Sequence, residues 1–134
     1  MFERLLRVAV AIGAVVDTTV AILALFFQEQ LGPLFDIPLK DPALTTIAGG
    51  EYVVVTLIYV LVLRDFERYR ALLWLLALDQ FFAATLPALE ILRHNVAATP
   101  KTIGPIPFNA LLAIVYAVGA MRQKASPGSY RRGS

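Results

Sequence analysis

The chain has 134 residues, of which 58% are hydrophobic and only 16% charged, with a mean hydropathy of +0.69. Soluble domains run at roughly 45–50% apolar and about 25% charged residues, and a soluble fold of this length lacks the interior to hide so much apolar surface. The net charge of +2 is spread over the ends of hydrophobic stretches rather than gathered in a patch, which argues against a nucleic-acid partner. No cysteine is present, which excludes disulfides, thiolate catalysis and cysteine metal sites, and the single histidine, His94, argues against a histidine-built metal or haem centre. Nothing else in the chain calls for a cofactor.

The first apolar run follows the basic start MFERLLR and continues to about Phe27. That is longer than the 7–15 residues of a signal-peptide core, so residues 5–27 are expected to form a retained membrane span of about the 20 residues that a bilayer needs. Asp17 lies within it. Residues 28–42, QEQLGPLFDIPLKDP, read as a loop, because Gly32, Pro33, Pro38 and Pro42 oppose a helix. Its apolar residues suggest that it lies on the membrane surface. Asp41-Pro42 is a good helix start.

The second span is expected over 43–63, ending at Arg64. Thr45, Gly49, Tyr52, Thr56 and Tyr59 recur at helical spacing and read as a packing face of small and hydrogen-bonding residues. Gly49-Gly50 precedes an ionisable residue, Glu51. A short charged turn, RDFERYR, leads to the third span, 71–92, which carries Asp79 and Gln80 near its middle. Pro87 frees the carbonyl of Ala83 and predicts a kink. Asp79, Glu90 and His94 share a face, readable as a polar track or, more simply, as the wet end of a helix. After a second long loop, 95–106, the fourth span is expected over 104–121, with Asn109 and Tyr116 as its polar side chains and Ala113 and Ala117 as a small-residue contact. Residues 1–122 thus read as one four-helix transmembrane domain. The polar residues 123–134 read as a disordered tail.

Nine basic residues fall at the N-terminus, the 64–70 turn and the tail, and three (Lys40, Arg93, Lys101) fall in the other two loops. The positive-inside rule then puts both termini in the cytoplasm and requires an even number of spans. The fold class expected is an all-α, four-transmembrane-helix bundle, multi-pass in a cell membrane, with a bacterial inner membrane the best match.

Asp17, Glu51 and Asn109 each lie thirteen residues from a basic anchor, and Asp79 lies nine from Arg70. At 1.5 Å per residue these are heights of about 20 Å and about 14 Å, so the four groups are expected to converge at mid-membrane and face one another. Lipid-facing placement would be costly. Three carboxylates in one dry space cannot all stay ionised, so at least one is expected to hold a proton and donate to Asn109, Thr18, Thr19, Gln80 or a tyrosine. Asp17, Glu51 and Asp79, with Tyr52, Gln80 and Asn109, are therefore the candidate ligand-binding residues, and the three acids are the candidates for any acid/base catalysis. The competing reading is a hydrogen-bonded knot that fixes helix packing.

The layout resembles the DoxX-like group of small four-helix membrane proteins. The likeness rests on RLLRVAVAIGAVVDTTVAIL, the proline-rich loop, the Gly-Gly opening of TTIAGGEYVVVTLIYVLVLRD, the arginine-rich turn and the closing FNALLAIVYAVGAM. It implies the bundle fold and, because some members accompany quinone-using redox enzymes, an apolar ligand or a larger membrane complex. A looser likeness joins it to sterol-isomerase and sigma-2-receptor-type bundles, which also place acids around a pocket for an apolar ligand. Three functions follow as expectations. The leading one is a binding or accessory subunit that holds a lipid-like or quinone-like molecule beside the acids, alone, as a homo-oligomer or within a larger complex. The others are an intramembrane isomerase-type enzyme, which needs a substrate-sized cavity beside the acids, and a small proton-coupled transporter.

Overall fold

The computed structural model describes residues 1–122; the tail expected to be disordered, 123–134, lies outside the described residues. Six helices follow in order: α1 (Phe2–Phe26), α2 (Gln28–Phe35), α3 (Pro42–Arg64), α4 (Leu73–Leu92, entered through a 3-10 turn Arg70–Leu72), α5 (Pro100–Ile103) and α6 (Pro105–Met121). No strand occurs among the described residues. Four stretches are long and apolar enough to cross a membrane: Phe2–Phe26, Pro42–Arg64, Arg70–Leu92 and Pro100–Met121. Large apolar side chains exposed on the bundle surface outnumber those buried inside it, Val15, Leu44, Leu57, Leu111 and Ile114 among them. Such a surface suits lipid rather than water, consistent with a multi-pass membrane protein.

Several helix ends have a local cause. Asp41 caps α3, its Oδ1 accepting from the backbone N–H groups of Ala43 (2.9 Å) and Leu44 (3.2 Å), with Pro42 in the first helical position. Thr99 and Thr102 form a reciprocal capping box on α5. The expectation that 28–42 lacks a helix is overturned. Gln28–Phe35 is helical with Pro33 inside it, and the chain leaves it through Asp36 in the left-handed region, φ 52°. Pro33 sits three residues before the exit, so it removes one late backbone donor and does not interrupt a long ladder.

The helices form two antiparallel pairs, α1 with α3 and α4 with α6, each packed along most of its length. Contact between the pairs is much sparser. In the first pair, Gly49 lets α3 approach Ala24 and Leu25 of α1 so closely that an added Cβ would lie 2.9 Å from Leu25 Cγ. Thr45, Gly49 and Tyr59 of the expected packing face are buried, and Tyr52 and Thr56 are half-buried. In the second pair, Asn109 Nδ2 donates to the Ala83 carbonyl at 3.2 Å. Pro87 is the residue that leaves that carbonyl without its helical donor, so α6 repairs the gap that α4 carries.

Three sets of polar contacts join the pairs. At the end that holds the N-terminus and the 64–70 turn (the base), Arg70 pairs with Glu3 at 3.0 Å. At mid-height, Gln80 meets Asp17 and Tyr59, and the Tyr116 hydroxyl donates to the Ala9 carbonyl at 2.8 Å. At the far rim, Thr99 donates to Asp36 at 2.8 Å and Lys101 to the Pro33 carbonyl at 3.0 Å. The core shared by all four long helices fills the space between the base and the middle set: Leu6 and Val10, Tyr59 and Val62, Leu73 and Leu76, Leu112 and Tyr116.

Candidate functional site

The middle set is where the expected site residues meet. Asp17, on α1, is buried with 4% of its surface exposed, and Gln80, on α4, is buried with 2% exposed. Asp79 is half-buried beside it. The Gln80 amide nitrogen is the centre: Asp79 Oδ2 lies at 3.1 Å, the Tyr59 hydroxyl at 3.2 Å and Asp17 Oδ2 at 3.5 Å. One –NH2 group thus serves two carboxylates and a phenol, drawn from three helices. Its other end is left over, for Gln80 Oε1 is buried with no hydrogen-bond partner. An amide with two hydrogens facing two carboxylates must point its oxygen elsewhere.

Gly13 makes room for this layer. It lies four residues before Asp17 on the same face of α1, and an added Cβ would strike the hydroxyls of both Tyr59 and Tyr116. Those rings stack edge to face, with centroids 6.0 Å apart. A glycine here lets two tyrosine hydroxyls reach the α1 backbone. One of them, Tyr116, uses the Ala9 carbonyl as its acceptor.

Other expected members fall outside the layer. Glu51 is exposed and makes no hydrogen bond or ion pair with another described residue. The reason is register. Thr18 meets Thr56 and Gln28 meets Thr46 across the α1–α3 pair, which sets Arg64 opposite Val10 rather than opposite Arg4. In that register Glu51 stands opposite Leu23, six residues or about 9 Å farther from the base than Asp17. It also lies about 100° round α3 from Tyr52, on the stripe of Val55, Ile58 and Val62, which meets the core only nearer the base. Asn109 donates to the Ala83 backbone and not to an acid. Thr18 and Thr19 donate to the carbonyls of Ala14 and Val15 in their own helix. Tyr52 is half-buried on the packing face. Glu90 accepts from Asn95 at 2.8 Å and Arg93 at 3.2 Å where α4 ends, so the simpler reading of those residues as a wet helix end describes them.

Arg70 is a feature that counting arginines cannot find. Its side chain is 6% exposed. One terminal nitrogen donates to the carbonyls of Gly119 and Arg122, both at 3.2 Å, and so caps the end of α6; the other meets both Glu3 oxygens at 3.0 Å and Glu67 at 3.3 Å. Its guanidinium also lies over the Phe66 ring, 5.3 Å from the centroid. One residue therefore ties α1, the 64–70 turn and α6 together.

Two open depressions, of about 670 Å³ and about 640 Å³, lie at the far rim around α2 and share Gln28, Glu29 and Leu39; neither is lined by Asp17, Glu51 or Asp79. Asp79 and Tyr52 are half-buried, whereas Asp17 and Gln80 are buried. No group of three or more His, Asp or Glu side chains placed to hold a metal ion occurs among the described residues. Set against protein-family models, curated proteins and solved structures, the chain matches none. What the geometry supplies is a layer of two carboxylates, one amide and a phenol on top of an apolar core, in helices otherwise clothed for lipid.

Proposed function

We propose that the protein is a binding or accessory subunit of a cell membrane, with both termini in the cytoplasm, that holds an apolar, lipid-like molecule by its polar end at the Asp17–Gln80–Asp79 layer. The bundle fold of the DoxX-like group is the likeness that this reading keeps. The orientation is supported by the nine-to-three division of basic residues between the two ends. One observation carries the ligand reading: two carboxylates from opposite helix pairs converge on a single amide whose oxygen is buried without a partner. Charges at that depth are costly, and a packing knot needs none. The exposed sides of Asp79 and Tyr52 offer an approach from the lipid.

The test is mass spectrometry of organic extracts from gently purified protein, wild type against an Asp17→Asn, Asp79→Asn double variant. The expected result is a small apolar molecule enriched only in wild type. Equal amounts of ordinary phospholipid in both would overturn the reading and leave the layer as a packing device.

A further inference from the structure

Arg70 sets the electrostatics of the base by the acids it occupies. Those acids are Glu3, Asp65 and Glu67. Arg70 pairs with Glu3 and Glu67, and Asp65 accepts from the backbone N–H of Arg68 at 3.1 Å. Arg4, Arg7, Arg64 and Arg68 therefore pair with no acid among the described residues. Residues 123–134 contain no aspartate or glutamate that could serve them. Arginines without a counter-ion thus stand round one end of an apolar bundle.

Three of them share one seam. Arg4, Arg7, Ala11, Ala14 and Thr18 recur at three- and four-residue steps and so form one stripe along α1. Thr18 meets Thr56 across the seam with α3, and Arg7 lies over the Phe66 ring, 4.8 Å from its centroid, just past the end of α3. On α3, Leu57, Val60 and Arg64 form the facing stripe. In the α1–α3 register Arg64 stands opposite Val10, so Arg7 lies three residues, or about 4.5 Å, nearer the base. Arg4, Arg7 and Arg64 are all exposed. The 23 residues of α3 span about 34 Å, against about 30 Å of bilayer hydrocarbon. Its last residue, Arg64, therefore sits at the level of lipid headgroups. Above the arginines the outer side of the seam is apolar, with Val15, Leu57 and Val60 more than half exposed.

We infer that the base of the α1–α3 seam binds the headgroup of an anionic phospholipid. Arg7 and Arg64 share its phosphate, Arg4 adds charge, and the acyl chains run along Val15, Leu57 and Val60. A guanidinium meets phosphate oxygens through parallel N–H donors, which makes arginine the fitting side chain for this group. The Phe66 ring holds the Arg7 guanidinium in place by a cation–π contact. A zwitterionic lipid brings the same phosphate together with its own cation, so the uncompensated positive charge of the base selects a lipid with a net negative charge. The surface lies apart from the acid layer at mid-height and does not rest on the ligand reading above.

The experiment is native mass spectrometry of the full chain, released from detergent that holds an equimolar mixture of phosphatidylglycerol and phosphatidylethanolamine with the same acyl chains. Wild type is expected to carry phosphatidylglycerol in at least about fivefold excess, the effect of one arginine at an anionic surface. Arg7→Gln, Arg64→Gln together should bring the two lipids close to parity. Arg64→Gln alone, at an exposed residue whose side chain bonds no other described residue, should lose part of the preference without disturbing the fold. Lys40→Gln, Arg93→Gln, which removes the same charge at the far rim, should preserve it. Soluble glycerophosphate at the same concentration as the lipid should leave the lipid bound, because it lacks the acyl chains. Equal binding of the two lipids by wild type would overturn the inference, even if a variant folds poorly. So would a preference that survives loss of Arg7 and Arg64, one that is lost equally in the far-rim variant, or displacement of the lipid by glycerophosphate.

Discussion

The half of the bundle nearer the base and the half beyond Gln80 are built from the same four helices by different means. Near the base, large side chains from all four helices are fully buried in one core, Leu6, Tyr59, Leu76 and Tyr116 among them. Beyond Gln80 the buried residues are small, Ala21, Ala24, Thr45, Gly49 and Ala84. The Thr45 and Gly49 face lines the seam inside the first helix pair. The near half is closed by packing and by the Arg70 clasp. The far half is held by two separate helix pairs and a polar rim. The acid layer lies on the boundary. A polar layer fixed on a packed floor is what a site for the polar end of a lipid-borne ligand requires.

Substitutions can break that contrast, and the largest effects belong near the base. Leu76→Ala, in the shared core, should cost about 3 kcal/mol through the cavity it leaves, read as a lower denaturant midpoint in detergent. Arg70→Met leaves Glu3 and Glu67 without their cation and the α6 carbonyls without their donor. It should cost about 2 kcal/mol, mainly through the lost charged hydrogen bonds to the Gly119 and Arg122 carbonyls, because the Glu3 and Glu67 carboxylates left behind are partly exposed, read in the same way. Gly13→Ala would drive a methyl group into two tyrosine hydroxyls and should cost about 2 kcal/mol by overpacking; Tyr116→Phe in the same chain should recover part of it, and an unfolding double-mutant cycle measures that coupling.

The far half should tolerate more. Asn109→Ala removes the donor to the Ala83 carbonyl and should cost about 1 kcal/mol, again by midpoint shift. Gly50→Ala should be neutral or stabilising by up to about 1 kcal/mol, since an added Cβ meets nothing within 4 Å and alanine favours the helix. Gly49→Ala, one residue earlier, should destabilise, because Leu25 and Ala24 occupy that space. A far half as sensitive as the near half would remove the distinction between them.

Much of the fold is legible in the sequence, because long apolar runs and caps such as Asp41-Pro42 act locally. The helix at 28–35 is not, because Gly32 and Pro33 read as breakers until the chain is seen to leave the helix three residues later. Within the site, Asp17, Asp79 and Gln80 are legible as polar residues at depth on apolar helices. Glu51 misleads because heights counted from Arg4 and Arg64 assume that those arginines share a level, and the α1–α3 register sets them about six residues apart. Arg70 is hidden for a related reason. Sequence counts it as one of nine basic anchors, and only tertiary contact separates the buried arginine from the exposed ones. Gly13 has a faint signal, its four-residue spacing to Asp17, but the two tyrosines that need its missing side chain come from α3 and α6.

An acid layer that serves binding and not folding should add nothing to stability. The most direct test compares the unfolding stability of ligand-stripped wild type with that of the Asp17→Asn, Asp79→Asn double variant, under identical detergent. Asparagine keeps the shape and an acceptor for Gln80 while removing two charges that are costly to desolvate. The expected result is a variant at least as stable as wild type. A variant less stable by about 2 kcal/mol or more, the cost of a broken buried polar network, would contradict the claim and make the layer part of what holds the helix pairs together.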